Sequence, residues 1–160
     1  MQLYPRRISL LLSLTVRQAG RFTIEVTENR LVQHEANVLE VLSRFRLLGF
    51  KLSMDDFGTG ATSFEQLRLY PFSELKIDGS FIQNAREDES SKTTVETSAR
   101  LAAMLGISVV AEGIETDDQL KPATDVGAES IRGFLISRPL SASQLTEWVK
   151  RFNTASADAA

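Results

Sequence analysis

The stretch Phe50-Lys51-Leu52-Ser53-Met54-Asp55-Asp56-Phe57-Gly58-Thr59-Gly60 decides how the chain is read. Its first five residues (FKLSM) are short and β-rich, and they read as a strand. Two acids and two glycines follow at once. Neighbouring strand residues point to opposite faces, so two Asp can serve one site only where the strand is ending. Gly58 and Gly60 then allow a tight loop. An exposed turn would explain Asp55-Asp56 equally well if nothing else in the chain resembled it.

The rest of the chain repeats the arrangement. Similar β-rich runs lie at Arg21–Thr27, Glu74–Ile77, Ile107–Ala111 and Glu129–Phe134. Helical patterns separate them. Over His34–Leu48 the apolar residues Val38, Leu39, Val41, Leu42, Phe45 and Leu48 share one stripe, closed by Gly49, and Thr93–Leu105 is closed by Gly106. Thr116 with Gln119 and Ser141 with Gln144 have capping-box spacing, opening helices over Asp117–Asp125 and Ala142–Phe152. Strand starts near residues 22, 50, 74, 107 and 129 leave room for one helix per step, the rhythm of βα units on a parallel sheet. The expectation is one α/β domain over 21–152. Residues 1–20 are expected to form a leader or helix remnant, and 153–160 a disordered tail. Arg6-Arg7 before an apolar run resembles a signal peptide, but Ser and Thr interrupt the run and Arg17 closes it, which favours an amphipathic helix or disordered leader.

Composition narrows the chemistry. The chain has 160 residues, no Cys, one His (His34) and a formal net charge of −3. Disulfides, thiolate catalysis and Cys-ligated zinc are excluded, and a lone His disfavours a Ser-His-Asp triad or a multi-His metal site. The mild acidity disfavours a nucleic-acid polymer as partner. No run approaches the roughly 20 apolar residues of a membrane span. Chemistry here must run on carboxylates, Lys and Arg.

Those groups gather at one end of the strands. The first strand offers Glu25 and Glu28, the second Asp55 and Asp56, the third Lys76 and Asp78, the fourth Glu112 and Glu115, the fifth Arg132. In α/β folds active sites assemble at the C-terminal strand edge. Clustered carboxylates repel and raise one another's pKa values, and hard divalent cations relieve the strain through oxygen ligands. The composition therefore points to Mg²⁺ or Mn²⁺. Each charge alone has a plainer reading: Glu25/Glu28 and Glu112/Glu115 suit first helical turns, and Lys76 suits a buried salt bridge.

Taken in order, Ile24-Glu25-Val26-Thr27-Glu28, Asp55-Asp56-Phe57-Gly58-Thr59-Gly60, Leu75-Lys76-Ile77-Asp78, Val110-Ala111-Glu112-Gly113-Ile114-Glu115, and Gly133-Phe134 before Ser137-Arg138-Pro139 resemble the EAL-domain family. These are bacterial phosphodiesterases that open cyclic di-GMP to linear pGpG. The resemblance covers roughly Arg21 to Phe152. It implies a cytoplasmic protein, a partial TIM-like (β/α) barrel with its site at the strand C-termini, cyclic di-GMP as ligand, and two Mg²⁺ or Mn²⁺ ions. Carried over residue by residue, Glu25, Asp55, Asp56 and Glu112 look like metal ligands. Lys76 and Glu112 look catalytic, with Lys76 contacting the attacking water. Glu28 resembles the acid anchoring the loop from Phe57 to about Glu65, while Asp78 and Glu115 resemble supporting acids.

The departures are specific. The 160 residues contain no Glu-Ala-Leu signature upstream of Glu25, Glu35-Ala36-Asn37 falls on the wrong element, and the family's metal-binding Asn and the Arg after the signature are missing. The first metal would then keep only Glu25 and Asp55. Where the family commonly has Gln, this chain has Arg132, which could bind phosphate or displace a metal. Ala61 replaces a loop aromatic. A (β/α)₈ barrel takes about 250 residues and eight strands, and five parallel strands cannot close one, so a homo-oligomer is expected. The sequence thus carries two functional readings: a truncated phosphodiesterase domain, weakly active or inactive alone, or a degenerate module binding nucleotide or a protein partner. A fragment with no role of its own is the third, bland possibility.

Overall fold

The computed structural model describes residues 16–31, 35–59 and 64–158. The expected leader therefore lies mostly outside the described residues, as do His34, Gly60 and Ala61. After a 3₁₀ turn at Val16–Arg21 the chain runs β1 (Thr23–Thr27), α1 (Glu28–Leu31), α2 (Glu35–Leu47), β2 (Lys51–Phe57), α3 (Phe64–Leu69) and β3 (Glu74–Ile77). It continues through α4 (Gly79–Asn84), α5 (Glu89–Leu105), β4 (Ser108–Ala111), α6 (Asp117–Asp125), β5 (Ser130–Ile131) and α7 (Ala142–Asp158).

All five strands are parallel and lie in the order β1-β2-β3-β4-β5. Spatial order equal to chain order is the winding of a barrel wall. A doubly wound sheet would reverse direction at a switch point.

The two faces of this sheet differ in kind. Ile24 and Val26, Leu52 and Met54, Leu75 and Ile77, Val109 and Ala111, and Ile131 all pack into one apolar cluster. That cluster takes Leu42 from α2, Leu67 from α3, Ile82 from α4, Val95, Ala99 and Ala102 from α5, and Ala123 from α6. The alternate residues Glu25, Ser53, Asp55, Glu74, Lys76 and Val110 form the other face, following the period of two. Ser53, Lys76 and Val110 on that face are nonetheless buried. Sheets sandwiched between helices carry apolar residues on both sides. Here one face is apolar and helix-covered, and the other is polar and carries the site.

Several boundaries move from the sequence expectation, three of them for local reasons. α5 begins at Glu89 rather than Thr93, because Asp88 caps it: its carboxylate accepts from the Ser91 N–H at 2.8 Å and from the Ser91 hydroxyl at 2.6 Å. β5 is only two residues long, because the chain turns at Gly133, where a Cβ would overlap the Ile114 backbone. α7 continues to Asp158, so 153–158 is helical and not the frayed tail expected; those residues include Ala and contain no Gly or Pro to stop the helix. The Ser141–Gln144 capping box forms, with the Ser141 N–H donating to Gln144 Oε1 at 2.9 Å. Among the described residues no helix is long and apolar enough to cross a membrane.

Candidate functional site

Lys76 organises the polar face. Its ammonium lies 2.6 Å from Asp55 Oδ1, 2.9 Å from Glu112 Oε1 and 3.1 Å from Glu25 Oε1. The side chain is 5% exposed, against 40% for Glu25, 19% for Asp55 and 24% for Glu112. β3 places Lys76 in the middle of the sheet, so it reaches β1 and β2 on one side and the end of β4 on the other. Burial works against its charge, but hydrogen bonds to Asp55, Glu112 and Glu25 outweigh burial and hold its pKa above the ordinary lysine value. The plainer reading of Lys76, a buried salt bridge, is therefore the geometry observed.

Arg132, just past β5, completes the array. Its Nη1 donates to Glu25 Oε1 at 3.0 Å and lies 3.6 Å from Glu112 Oε1. Burial pushes the Glu25 carboxyl upward, yet its hydrogen bonds with Arg132 and Lys76 leave its pKa below the ordinary range.

Asp55 continues the polar alternation of β2, whereas Asp56 breaks it. Asp56 has φ 56°, and the β2–β3 register slips between Met54 and Phe57. Both Asp therefore sit inside the strand. What lets them serve one edge is a bulge, not the strand end that the sequence suggested. Burial, then the charges of Asp55 and Asp78, raise the Asp56 pKa. Glu28 is buried in the first turn of α1, and its Oε2 accepts from the Gly58 N–H at 3.1 Å, a hold on the segment after Asp56.

The remaining candidates lie further out. Asp78 caps α4, accepting from the Ser80 N–H at 2.9 Å, while its charge still reaches Asp56. Glu115 is exposed at the entry to α6, where its N–H donates to Gln119 Oε1 at 2.7 Å; its carboxylate is not among those converging on Lys76. Two polar residues beneath the cluster escaped the sequence reading: Ser53 Oγ and Glu74 Oε1 are buried without a hydrogen-bond partner among the described residues. Their signal was the same period of two, since Ser53 precedes Asp55 and Glu74 precedes Lys76 on one face.

The donor set is all carboxylate, as a hard divalent cation prefers. The arrangement is another matter. Lys76 and Arg132 are seated between the carboxylates, and among the described residues no three acids are grouped as a metal site. As arranged, the carboxylates are paired with two organic cations, and a divalent ion would have to take oxygens from them.

Residues 3–139 match the family model described as the EAL domain. The match begins well ahead of Arg21 and takes in the segment read above as a leader. The chain is 39% identical to the cyclic di-GMP phosphodiesterase RocR of Pseudomonas aeruginosa over 116 residues, 72% of this chain and 30% of RocR. It superposes on the PaMucR phosphodiesterase in complex with c-di-GMP with a TM-score of 0.79 at 36% identity, covering 87% of this chain and 56% of that one. Klebsiella pneumoniae BlrP1, solved as a manganese/cyclic di-GMP complex, gives a TM-score of 0.76 at 29% identity, covering 86% of this chain and 36% of that one. The five parallel strands with their helices are thus the α/β, TIM-barrel-like fold of these structures, and the chain spans less than two thirds of each relative.

Proposed function

The chain belongs to the EAL domain family, and from that membership we propose that it carries the site-bearing strands of a cyclic di-GMP phosphodiesterase domain acting on cyclic di-GMP to give pGpG. One observation carries the reading: Glu25 on β1, Asp55 on β2 and Glu112 just past β4 converge on one buried Lys76 at the C-terminal edge of a parallel sheet. In this reading Glu25, Asp55, Asp56 and Glu112 are the residues that would hold Mg²⁺ or Mn²⁺. Lys76 faces the reacting phosphate and its water, Glu28 fixes the segment after Asp56, and Asp78 and Glu115 support from outside. When bound, such ions supply Lewis-acid polarisation of a phosphoryl oxygen and a nucleophilic hydroxide. The chain's own part is to hold the carboxylates at one edge and to keep Lys76 charged among them.

The Glu-Ala-Leu and Asn ligands that the resemblance implies are not among these 160 residues, and the experiment below reads the activity of these residues as they stand. A second reading, a non-catalytic module that binds the dinucleotide or a protein partner, is favoured by Lys76 and Arg132 sitting where the carboxylates would otherwise share a metal. Both readings place the protein in the cytoplasm as a homo-oligomer, away from nucleic-acid polymers and membranes, with cyclic di-GMP the ligand of the enzyme and of the dinucleotide-binding form of the module.

The separating experiment incubates the purified chain with cyclic di-GMP and Mg²⁺ or Mn²⁺, and follows pGpG alongside binding. Turnover that disappears in Asp56→Ala supports the enzyme. Binding without turnover supports the module, and neither binding nor turnover rejects the enzyme and the dinucleotide-binding module and leaves the fragment with no role of its own.

A further inference from the structure

Glu25 Oε1 and Glu112 Oε1 stand at opposite corners of a four-atom array of alternating charge. Lys76 Nζ lies 3.1 and 2.9 Å from them, and Arg132 Nη1 lies 3.0 and 3.6 Å from them. We propose that Arg132 is a built-in counter-ion that bridges Glu25 and Glu112 and competes with a divalent cation for them. The proposal rests on the carboxylate-site reading above and deepens it.

The two cations differ in how they can leave. Lys76 is buried and also holds Asp55 at 2.6 Å, so it is fixed by three partners. Arg132 is 49% exposed, comes from the far edge of the sheet, and its partner Glu25 is 107 residues away in the chain. Its long stem can swing to solvent without opening the core. A divalent ion seated between the two glutamates needs the same oxygens that Arg132 occupies. Arginine stays protonated at any pH at which the protein is folded, so it yields only by being displaced. A neutral side chain at 132 would leave Glu25 and Glu112 with Lys76 alone, and the local charge more negative by one.

The test uses Mn²⁺ alone, read by loss of the free-ion paramagnetic resonance signal on titration with the full chain. Wild type is compared with Arg132→Gln and Arg132→Lys, with circular dichroism confirming that each folds. The expected result is that Arg132→Gln binds Mn²⁺ about tenfold more tightly than wild type, as loss of a half-exposed competing charge implies. Arg132→Lys should stay closer to wild type, and adding Glu25→Gln to Arg132→Gln should abolish the gain. Equal or weaker Mn²⁺ binding by Arg132→Gln, or a gain that survives Glu25→Gln, overturns the proposal, and so does an absence of binding in all variants. No dinucleotide enters this titration. The phosphodiesterase reading therefore fails separately, if wild type neither binds nor opens cyclic di-GMP.

Discussion

At the scale of single residues, Lys76 is the side chain on which the site depends. Replacing it with Met leaves Glu25, Asp55 and Glu112 facing one another with only Arg132 to balance them. Breaking a buried pair costs about 3–5 kcal/mol, and because these acids are partly exposed a loss of about 2–3 kcal/mol is expected, measured by urea unfolding. The pH dependence of the metal-free protein follows from the same cluster. Glu25 has a lowered pKa, so its contribution is present above the unfolded value near 4.5 and is lost as pH falls through the folded one. Lys76 has a raised pKa, so its contribution is complete below the unfolded value of 10.5 and is lost as pH rises through the folded one. Stability from the cluster is therefore full between those limits. Asp56 works in the opposite sense, because its raised pKa means the folded state resists its ionisation. Asp56→Asn should raise the melting temperature at neutral pH, by about 1 °C given its partial exposure to solvent, and not below pH 3.8, since Asn also tolerates the φ of 56°. Equal melting temperatures at pH 7 would argue that Asp56 is not repelled.

At the scale of elements, the loop after β4 is the tightest part of the site. Gly113 has φ 67°, and a Cβ there would lie 2.8 Å from the Gly79 Cα. Glu112 is its neighbour, so this contact between two backbones fixes where a carboxylate sits. Gly127 also has positive φ (78°) but open space around it. Gly127→Ala should cost about 1 kcal/mol from the backbone alone, and Gly113→Ala about 2–4 kcal/mol once the clash is added, both read from urea midpoints. Equal losses would mean the Gly79–Gly113 approach is relaxed in solution. Sequence periodicity revealed the β runs and most helices, because alternation and the 3.6-residue stripe are local properties. The bulge at Asp56 was not legible, since it exists only relative to β3. Nor was the true length of β5, which is set by Gly133 against Ile114, a contact across the chain.

At the scale of the whole molecule, β1 and β5 are the outer strands of the sheet with no further strand paired to them among the described residues, and α7 exposes Leu145, Val149 and Phe152. Open edges and unpartnered apolar stripes favour association. Sedimentation velocity at micromolar concentration should show a species larger than 17.7 kDa, and a clean monomer would count against the homo-oligomer. The carboxylates were legible as a group because their positions after each β run imply one edge. Lys76 and Arg132 were legible at the same edge, but which carboxylates each would pair with was not, because ion pairing between β1, β3 and the end of β5 depends on register that no local pattern encodes. The central claim is that this edge is an EAL-type site for cyclic di-GMP, which the enzyme and the dinucleotide-binding module share. Calorimetric titration of the chain with cyclic di-GMP in the presence of Mn²⁺ tests it most directly. Saturable binding in wild type, weakened in Asp55→Asn and Glu112→Gln variants that remain folded, is the result expected; no binding in wild type, or binding indifferent to both substitutions, would contradict it.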